Sequence, residues 1–133
     1  MKNRKKILLV EPISCEALIA LRQKFYVFVE ILPPKKILLK AIENKDVIIL
    51  KSRVALDEEI ISAAKNLKLV VMAGIGIDHI CVDELNKRGI VWFNMPYLSA
   101  RDVAEFTFGM ALSLARRICL ADARLRHNQW QKK

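Results

Sequence analysis

A chain of 133 residues, 53% of them hydrophobic and with only four glycines and four prolines, has the size and composition of one packed domain rather than a disordered tail. Its formal charge of +9 raises the question of nucleic acid, but the basic residues are spread over helix faces and both ends, without interleaved aromatics to stack bases, so a solvated surface is the stronger reading. The basic start, MKNRKK, is followed by only Ile7-Leu8-Leu9-Val10, too short for a signal peptide, and no run approaches the roughly 20 apolar residues of a membrane span, so a soluble, cytoplasmic protein is expected.

In chain order, short β-branched runs alternate with helix-period segments, the signature of a parallel sheet covered by helices. Strands are predicted over Lys6 to Val10, Tyr26 to Leu32, Asp46 to Leu50, Leu67 to Met72 and Ile90 to Phe93. The third and fourth are nearly continuous apolar runs, as expected of central strands buried on both faces. Between them, Ser14 can cap a helix carrying Leu18, Leu21 and Phe25, and Pro33-Pro34 can open one carrying Ile37, Leu38, Ala41 and Ile42. Asp57 precedes Ile60, Ile61 and Ala64, and a short helix with Val82 and Leu85 stops at Gly89, which suits the left-handed position past a helix end. Residues 1–98 are thus expected to form a flavodoxin-like five-stranded parallel α/β unit with helices on both faces.

From Ser99 a helix is predicted with a capping pattern, Ser99 then Asp102, running through VAEFTFGMALSLARRI with apolar residues on nearly every side. Leaving Phe106, Phe108, Met110, Leu112 and Leu114 in water forfeits about 1.5–3 kcal/mol each. Four helices already occupy both faces of a five-stranded sheet, so the segment 99–133 is expected to be covered by a second lobe, a second subunit, or both.

Two places carry possible chemistry. In VVMAGIGIDHI, Gly74 and Gly76 lie where a doubly wound sheet has its ligand crevice, and successive amides in such a turn can cradle a carboxylate or phosphate; a plain strand-to-helix turn is the alternative. A dinucleotide fingerprint is excluded, because His79 stands where G-x-G-x-x-G needs its third glycine and Asn94 where an acid is expected. Lys51-Ser52-Arg53, at the end of the third strand, could meet an anion or be a solvated turn. Asp78 is expected to cap the short helix or brace the glycine turn. His79 and His127 have no evident carboxylate partner and receive no chemistry, and Cys15, Cys81 and Cys119 form no C-x-x-C pair, so no metal or disulfide is expected and the thiols are read as buried or half-buried. A receiver domain fails, since Glu11 is a lone acid and no aspartate ends the third strand.

Together the segments Lys51-Ser52-Arg53, Met72-Ala73-Gly74-Ile75-Gly76-Ile77-Asp78-His79, Gly89-Ile90-Val91-Trp92-Phe93-Asn94-Met95-Pro96, Val103-Ala104-Glu105 and Leu114-Ala115-Arg116-Arg117 resemble, in order and spacing, the D-isomer-specific 2-hydroxyacid dehydrogenases. Arg124, Leu125, Arg126 and Trp130 resemble the stretch before that family's nucleotide lobe. The resemblance implies a two-lobed oxidoreductase that moves hydride between NAD and C2 of a 2-hydroxy or 2-oxo acid. Gly74, Ile75 and Gly76 would hold the substrate carboxylate through backbone amides, Ala73 beside them would belong to the substrate-binding residues, Lys51, Ser52 and Arg53 would line the same pocket, and Ile75 would also approach the cofactor. The helix from Ser99 would cross to the nucleotide lobe and build a homodimer. The opening strand ending in Glu11-Pro12 points to the phosphoglycerate branch. Lys51, Met72 and His79 depart from the family's arginine, arginine and asparagine. No catalytic residue is expected in this chain, because the family's arginine, glutamate and histidine fall beyond Lys133. It is expected to be inactive alone, and a stand-alone anion-binding, dimerising module is the alternative.

Overall fold

A computed structural model describes residues 4–97 and 99–129, which form two compact units that divide at Pro96 and Tyr97. The first is a parallel sheet of β1 (Lys6–Leu9), β2 (Tyr26–Val29), β3 (Val47–Leu50), β4 (Leu69–Met72) and β5 (Val91–Phe93), in the order β2-β1-β3-β4-β5. Between the strands lie α1 (Cys15–Lys24), α2 (Lys35–Ile42), α3 (Glu58–Ala63) and α4 (Val82–Lys87). This is the expected flavodoxin-like α/β fold. The second strand is shorter than predicted, ending at Val29, although the N–H groups of Glu30 and Leu32 still bond Leu9 and Val10 before the chain turns at Leu32, a non-glycine residue at φ 49°. The fourth starts two residues later than predicted, at Leu69, since the N–H of Leu67 still turns back to Ala64.

Register assigns each strand residue to a face. Leu8, Val10, Ile48, Leu50, Val70 and Met72 share one face and pack with Leu38 and Ile42 of α2, Ile60 and Ile61 of α3 and Leu85 of α4. Ile7, Leu9 and Ile49 share the other, where Leu18 and Leu21 of α1 and Phe25 cover them. Helices cover both faces, as expected, but unevenly: three cover one face and one covers the other. On the α1 face Val91 and Phe93 of the edge strand stay 63% and 45% exposed.

The helix ends mostly follow their local signals. The Ser14 hydroxyl accepts from the N–H of Ala17, and the Asp57 carboxylate accepts from that of Ile60. Beyond α4, Gly89 at φ 65° lets its own N–H reach Asn86 and that of Ile90 reach Leu85, the two reciprocal bonds of a Schellman ending. The Arg88 guanidinium donates to the carbonyl oxygens of Ile61 and Ala64, which closes the end of α3. Two expectations fail. Of the two roles expected for Asp78 the helix cap is overturned, since the N-cap of α4 is Cys81, whereas its carboxylate does lie beside the glycine turn, 3.4 Å from where a Cβ on Gly76 would stand. Cys15 and Cys119 are exposed and only Cys81 is half-buried, because the first two sit on helices that present that side to water.

The second unit holds α5 (Ala100–Ala115) and α6 (Ile118–Arg126). The single helix predicted through Ile118 is broken at Arg117, whose φ of 53° is left-handed and cannot continue a right-handed helix. Ser99 occupies the N-cap of α5 without a side-chain bond, its ψ of 10° being far from the extended backbone that aims a capping hydroxyl. Neither helix buries a residue, and Phe108 and Leu114 are 71% and 74% exposed. No helix among the described residues is long and apolar enough to cross a membrane. Trp130 lies outside the described residues.

Candidate functional site

The parallel sheet puts all strand C-termini on one edge, and there the loops after β3 and β4 are neighbours because β3 and β4 pair from Val47 with Leu69 to Leu50 with Met72. The N–H of Ala73 still bonds the carbonyl of Leu50 at 2.8 Å, so the chains separate just beyond that point into Lys51-Ser52-Arg53 and Gly74-Ile75-Gly76. The Nε2 of His79 lies 2.6 Å from the carbonyl oxygen of Lys51 and ties the two loops together again. The next N–H and C=O along, those of Leu56 and the carbonyl of His79, bond at 2.9 Å.

Glu11, which the sequence marked only as a lone acid, organises the first loop. Its carboxylate is 2% exposed, and Oε1 accepts from the backbone N–H groups of Lys51 at 2.8 Å, Arg53 at 3.0 Å and Val54 at 3.2 Å. A buried carboxylate is costly unless hydrogen-bonded, and a loop with three inward N–H groups is costly unless they find acceptors. Each solves the other's problem. The loop's cations are left outward, and among the described residues neither Lys51 nor Arg53 forms an ion pair, and the Ser52 hydroxyl has no protein partner. Beside Arg53, Leu32, Pro33, Lys35 and Val54 line a cleft of about 200 Å³. Lys35 is engaged there by Asp57 and Glu59, both at 2.6 Å, and its hydrogen bond holds the Asp57 carboxyl below the usual carboxylate range, with the Ile60 N–H adding to it.

The second loop has the opposite polarity. Its carbonyls are taken by the protein: the Met95 N–H donates to Gly74 at 2.8 Å and the Asn94 side-chain amide to Ile75 at 2.7 Å. Among the described residues, no protein acceptor receives the N–H of Gly74, Ile75 or Gly76. Fixing the carbonyls on the β5 side leaves a run of unpaired donors on an exposed turn, an arrangement suited to a carboxylate or phosphate. Neither glycine has positive φ. A Cβ on Gly74 would stand 2.9 Å from the flexible end of Met72, and one on Gly76 would stand 3.4 Å from the Asp78 carboxylate. Their use here is access to the backbone rather than an unusual backbone angle.

The structure therefore places Lys51, Ser52, Arg53, Ala73, Gly74, Ile75 and Gly76 on adjacent loops of one edge. Sequence reasoning missed Glu11 and the bonds from Asn94 and Met95, because their partners are backbone atoms 19 to 43 positions away. The one available signal for Glu11 was an acid ending an apolar strand where a sheet has its crevice. His127, at the end of α6, is exposed and remote in sequence from these loops. Among the described residues no group of three or more His, Cys, Asp or Glu side chains could hold a metal ion.

Comparison with known proteins assigns the family. Over 129 residues the chain is 34% identical to a D-3-phosphoglycerate dehydrogenase of Archaeoglobus fulgidus, covering 96% of this chain and 24% of that protein. Over 96 residues it is 41% identical to a hydroxypyruvate reductase of Thermotoga maritima, covering 72% of this chain and 31% of the relative. The crystal structure of NAD+-bound 3-phosphoglycerate dehydrogenase from Entamoeba histolytica superposes with a TM-score of 0.72 at 29% identity, covering 84% of this chain and 39% of that one. The chain thus spans about a fifth to a third of the length of such curated relatives. The model of the D-isomer specific 2-hydroxyacid dehydrogenase catalytic domain matches residues 7–125, and the chain belongs to that family.

Proposed function

We propose that this chain is the substrate-binding part of an NAD-dependent dehydrogenase acting at C2 of a D-2-hydroxy or 2-oxo acid. The observation that carries the reading is the row of unpaired N–H groups at Gly74, Ile75 and Gly76, on the same edge as the unpaired cations Lys51 and Arg53. Those amides bind the substrate carboxylate, and Ser52 with the two cations receives the rest of the molecule. Two positive side chains beyond what one carboxylate needs favour a substrate with a second anionic group, which makes phosphoglycerate the first choice among the substrates named by the relatives.

NAD, when bound, supplies the hydride acceptor or donor. This chain fits only one wall of such a cofactor: Ile75, 43% exposed beside the turn, offers it an apolar surface, while the four glycines, at 74, 76, 89 and 109, form no G-x-G-x-x-G to take its phosphates. Cofactor phosphates and the acid-base residues are assigned to a second lobe, with residues 1–98 as the substrate lobe and residues 99–133 as the connection to the second lobe and to a homodimer partner.

The test uses the polypeptide that carries this segment together with a nucleotide lobe, assayed for NADH oxidation with phosphohydroxypyruvate, hydroxypyruvate and glyoxylate. Turnover is expected with all three and the lowest KM with the phosphorylated acid. Absence of turnover would sink the reading. Equal KM for the phosphorylated and unphosphorylated acids would remove the phosphoglycerate assignment and leave the family activity standing.

A further inference from the structure

The opposite edge of the sheet, where the strands begin, carries a second concentration of charge. Arg4, Lys5 and Lys6 lead into β1, and Lys68 leads into β4. They surround a concavity of about 210 Å³, completed by Asn44 after α2 and Asn66 after α3, with one acid, Asp46, in its wall.

Six of the seven side chains that line this concavity carry donors, Asp46 being the exception. Asp46 is already used, its Oδ1 by the Lys5 ammonium at 3.2 Å and its Oδ2 by the Lys6 N–H at 2.8 Å. The oxygen of the Asn44 side chain accepts from the Lys45 ammonium at 2.8 Å, which leaves the Asn44 NH2 as that side chain's free group. Among the described residues Arg4, Lys6 and Lys68 form no ion pair, and the preceding sequence, Met1-Lys2-Asn3, contains no acid. The neighbouring Lys45 is buried with its ammonium over the Phe28 ring; burial first, and repulsion from Lys6 second, pull its pKa below the ordinary lysine value. The ends of α2 and α3 point the other way electrically, each presenting about half a unit of negative charge. Four cations against one engaged carboxylate outweigh that.

We propose that this concavity is a binding site for a small multivalent phosphate anion, separate from the substrate edge. A compact anion is favoured over nucleic acid because the cations converge on one hollow instead of forming the stripe that follows a phosphate backbone. The assignment is independent of the dehydrogenase reading, since none of these residues belongs to that edge.

Inorganic pyrophosphate is the probe, titrated into the full chain at low salt by calorimetry and by amide NMR. Saturable binding is expected, with the largest shift changes at Lys6, Asn44, Asn66 and Lys68. The double variant Arg4→Ala/Lys68→Ala should weaken binding at least tenfold, whereas Lys24→Ala/Lys36→Ala, which removes the same charge from exposed helix positions, should change it less than twofold. All these side chains are exposed, so melting temperatures should match the parent, and a variant that melts lower is replaced by its glutamine counterpart. No saturation, equal losses in both double variants, or shifts confined to Gly74–Gly76 would each overturn the site. A single-stranded oligonucleotide that displaces pyrophosphate from these residues at lower concentration would overturn the small-anion assignment in favour of nucleic acid.

Discussion

Glu11 shows how much one side chain can decide. Replacing it with alanine strands the N–H groups of Lys51, Arg53 and Val54 in a part of the loop that water reaches poorly. A loss of about 3 kcal/mol is expected for Glu11→Ala by urea denaturation, and a smaller one for Glu11→Gln, which keeps an acceptor oxygen. Gly76 is the converse case, since an alanine Cβ there meets the Asp78 carboxylate at ordinary contact distance. Gly76→Ala should keep its melting temperature and raise the KM for the 2-oxo acid about tenfold in the enzyme that carries this segment, roughly the effect of spoiling one hydrogen bond to a charged group. An unchanged KM would show that these amides do not hold the substrate. Asp46 sets a pH dependence. The Lys6 N–H, and after it the Lys5 ammonium, lower its pKa in the folded chain against the opposing effect of partial burial. A carboxyl with a depressed folded pKa stabilises above its unfolded value, and that contribution is lost as pH falls through the folded one. Asp46→Asn should therefore be less stable than the parent at neutral pH, with the gap closing on acidification below the ordinary carboxylate range; a constant gap in pH-dependent melting would refute this.

Among the elements, the end of α4 was legible from one residue. Gly89 sits at φ 65° with nothing within 4 Å of an added Cβ, so Gly89→Ala isolates the backbone cost. About 1 kcal/mol of destabilisation is expected from the melting curve. Ser14 and Asp57 were equally legible, because a capping side chain reaches only three residues along. Ser99 offered the same local pattern and makes no cap bond. The difference lies in the incoming backbone, which is extended at Ser14 and Asp57, with ψ of 152° and 174°, and not at Ser99, with ψ of 10°. The break at Arg117 had no signal at all, since neither glycine nor proline marks it. The candidate site was half visible: Gly74, Gly76 and the cations of the β3 loop stand out in sequence, but which groups of the glycine turn are free depends on Asn94 and Met95 occupying its carbonyls.

At the scale of the whole molecule, the second unit presents a large apolar surface. Phe106, Phe108, Leu112 and Leu114 of α5 are all more than 60% exposed, and covering each would contribute about 1.5–3 kcal/mol. In sedimentation the 133-residue chain is expected to self-associate in the micromolar range, and Phe108→Glu with Leu114→Glu should shift it toward monomer. A monomer at high concentration would count against α5 as a homodimer element. The sequence by itself determined the order of strands and helices in the first unit and its parallel α/β fold, because apolar runs, helical periodicity and local caps are written in neighbouring residues. It also carried the family, through motifs that keep their order and spacing. Only the tertiary structure decided that α1 alone covers one face, that Glu11 and His79 hold the β3 loop, and that cations from β1 and β4 meet at the far edge. Each of these joins groups distant along the chain, and such pairings follow from strand order and register, which no local pattern states.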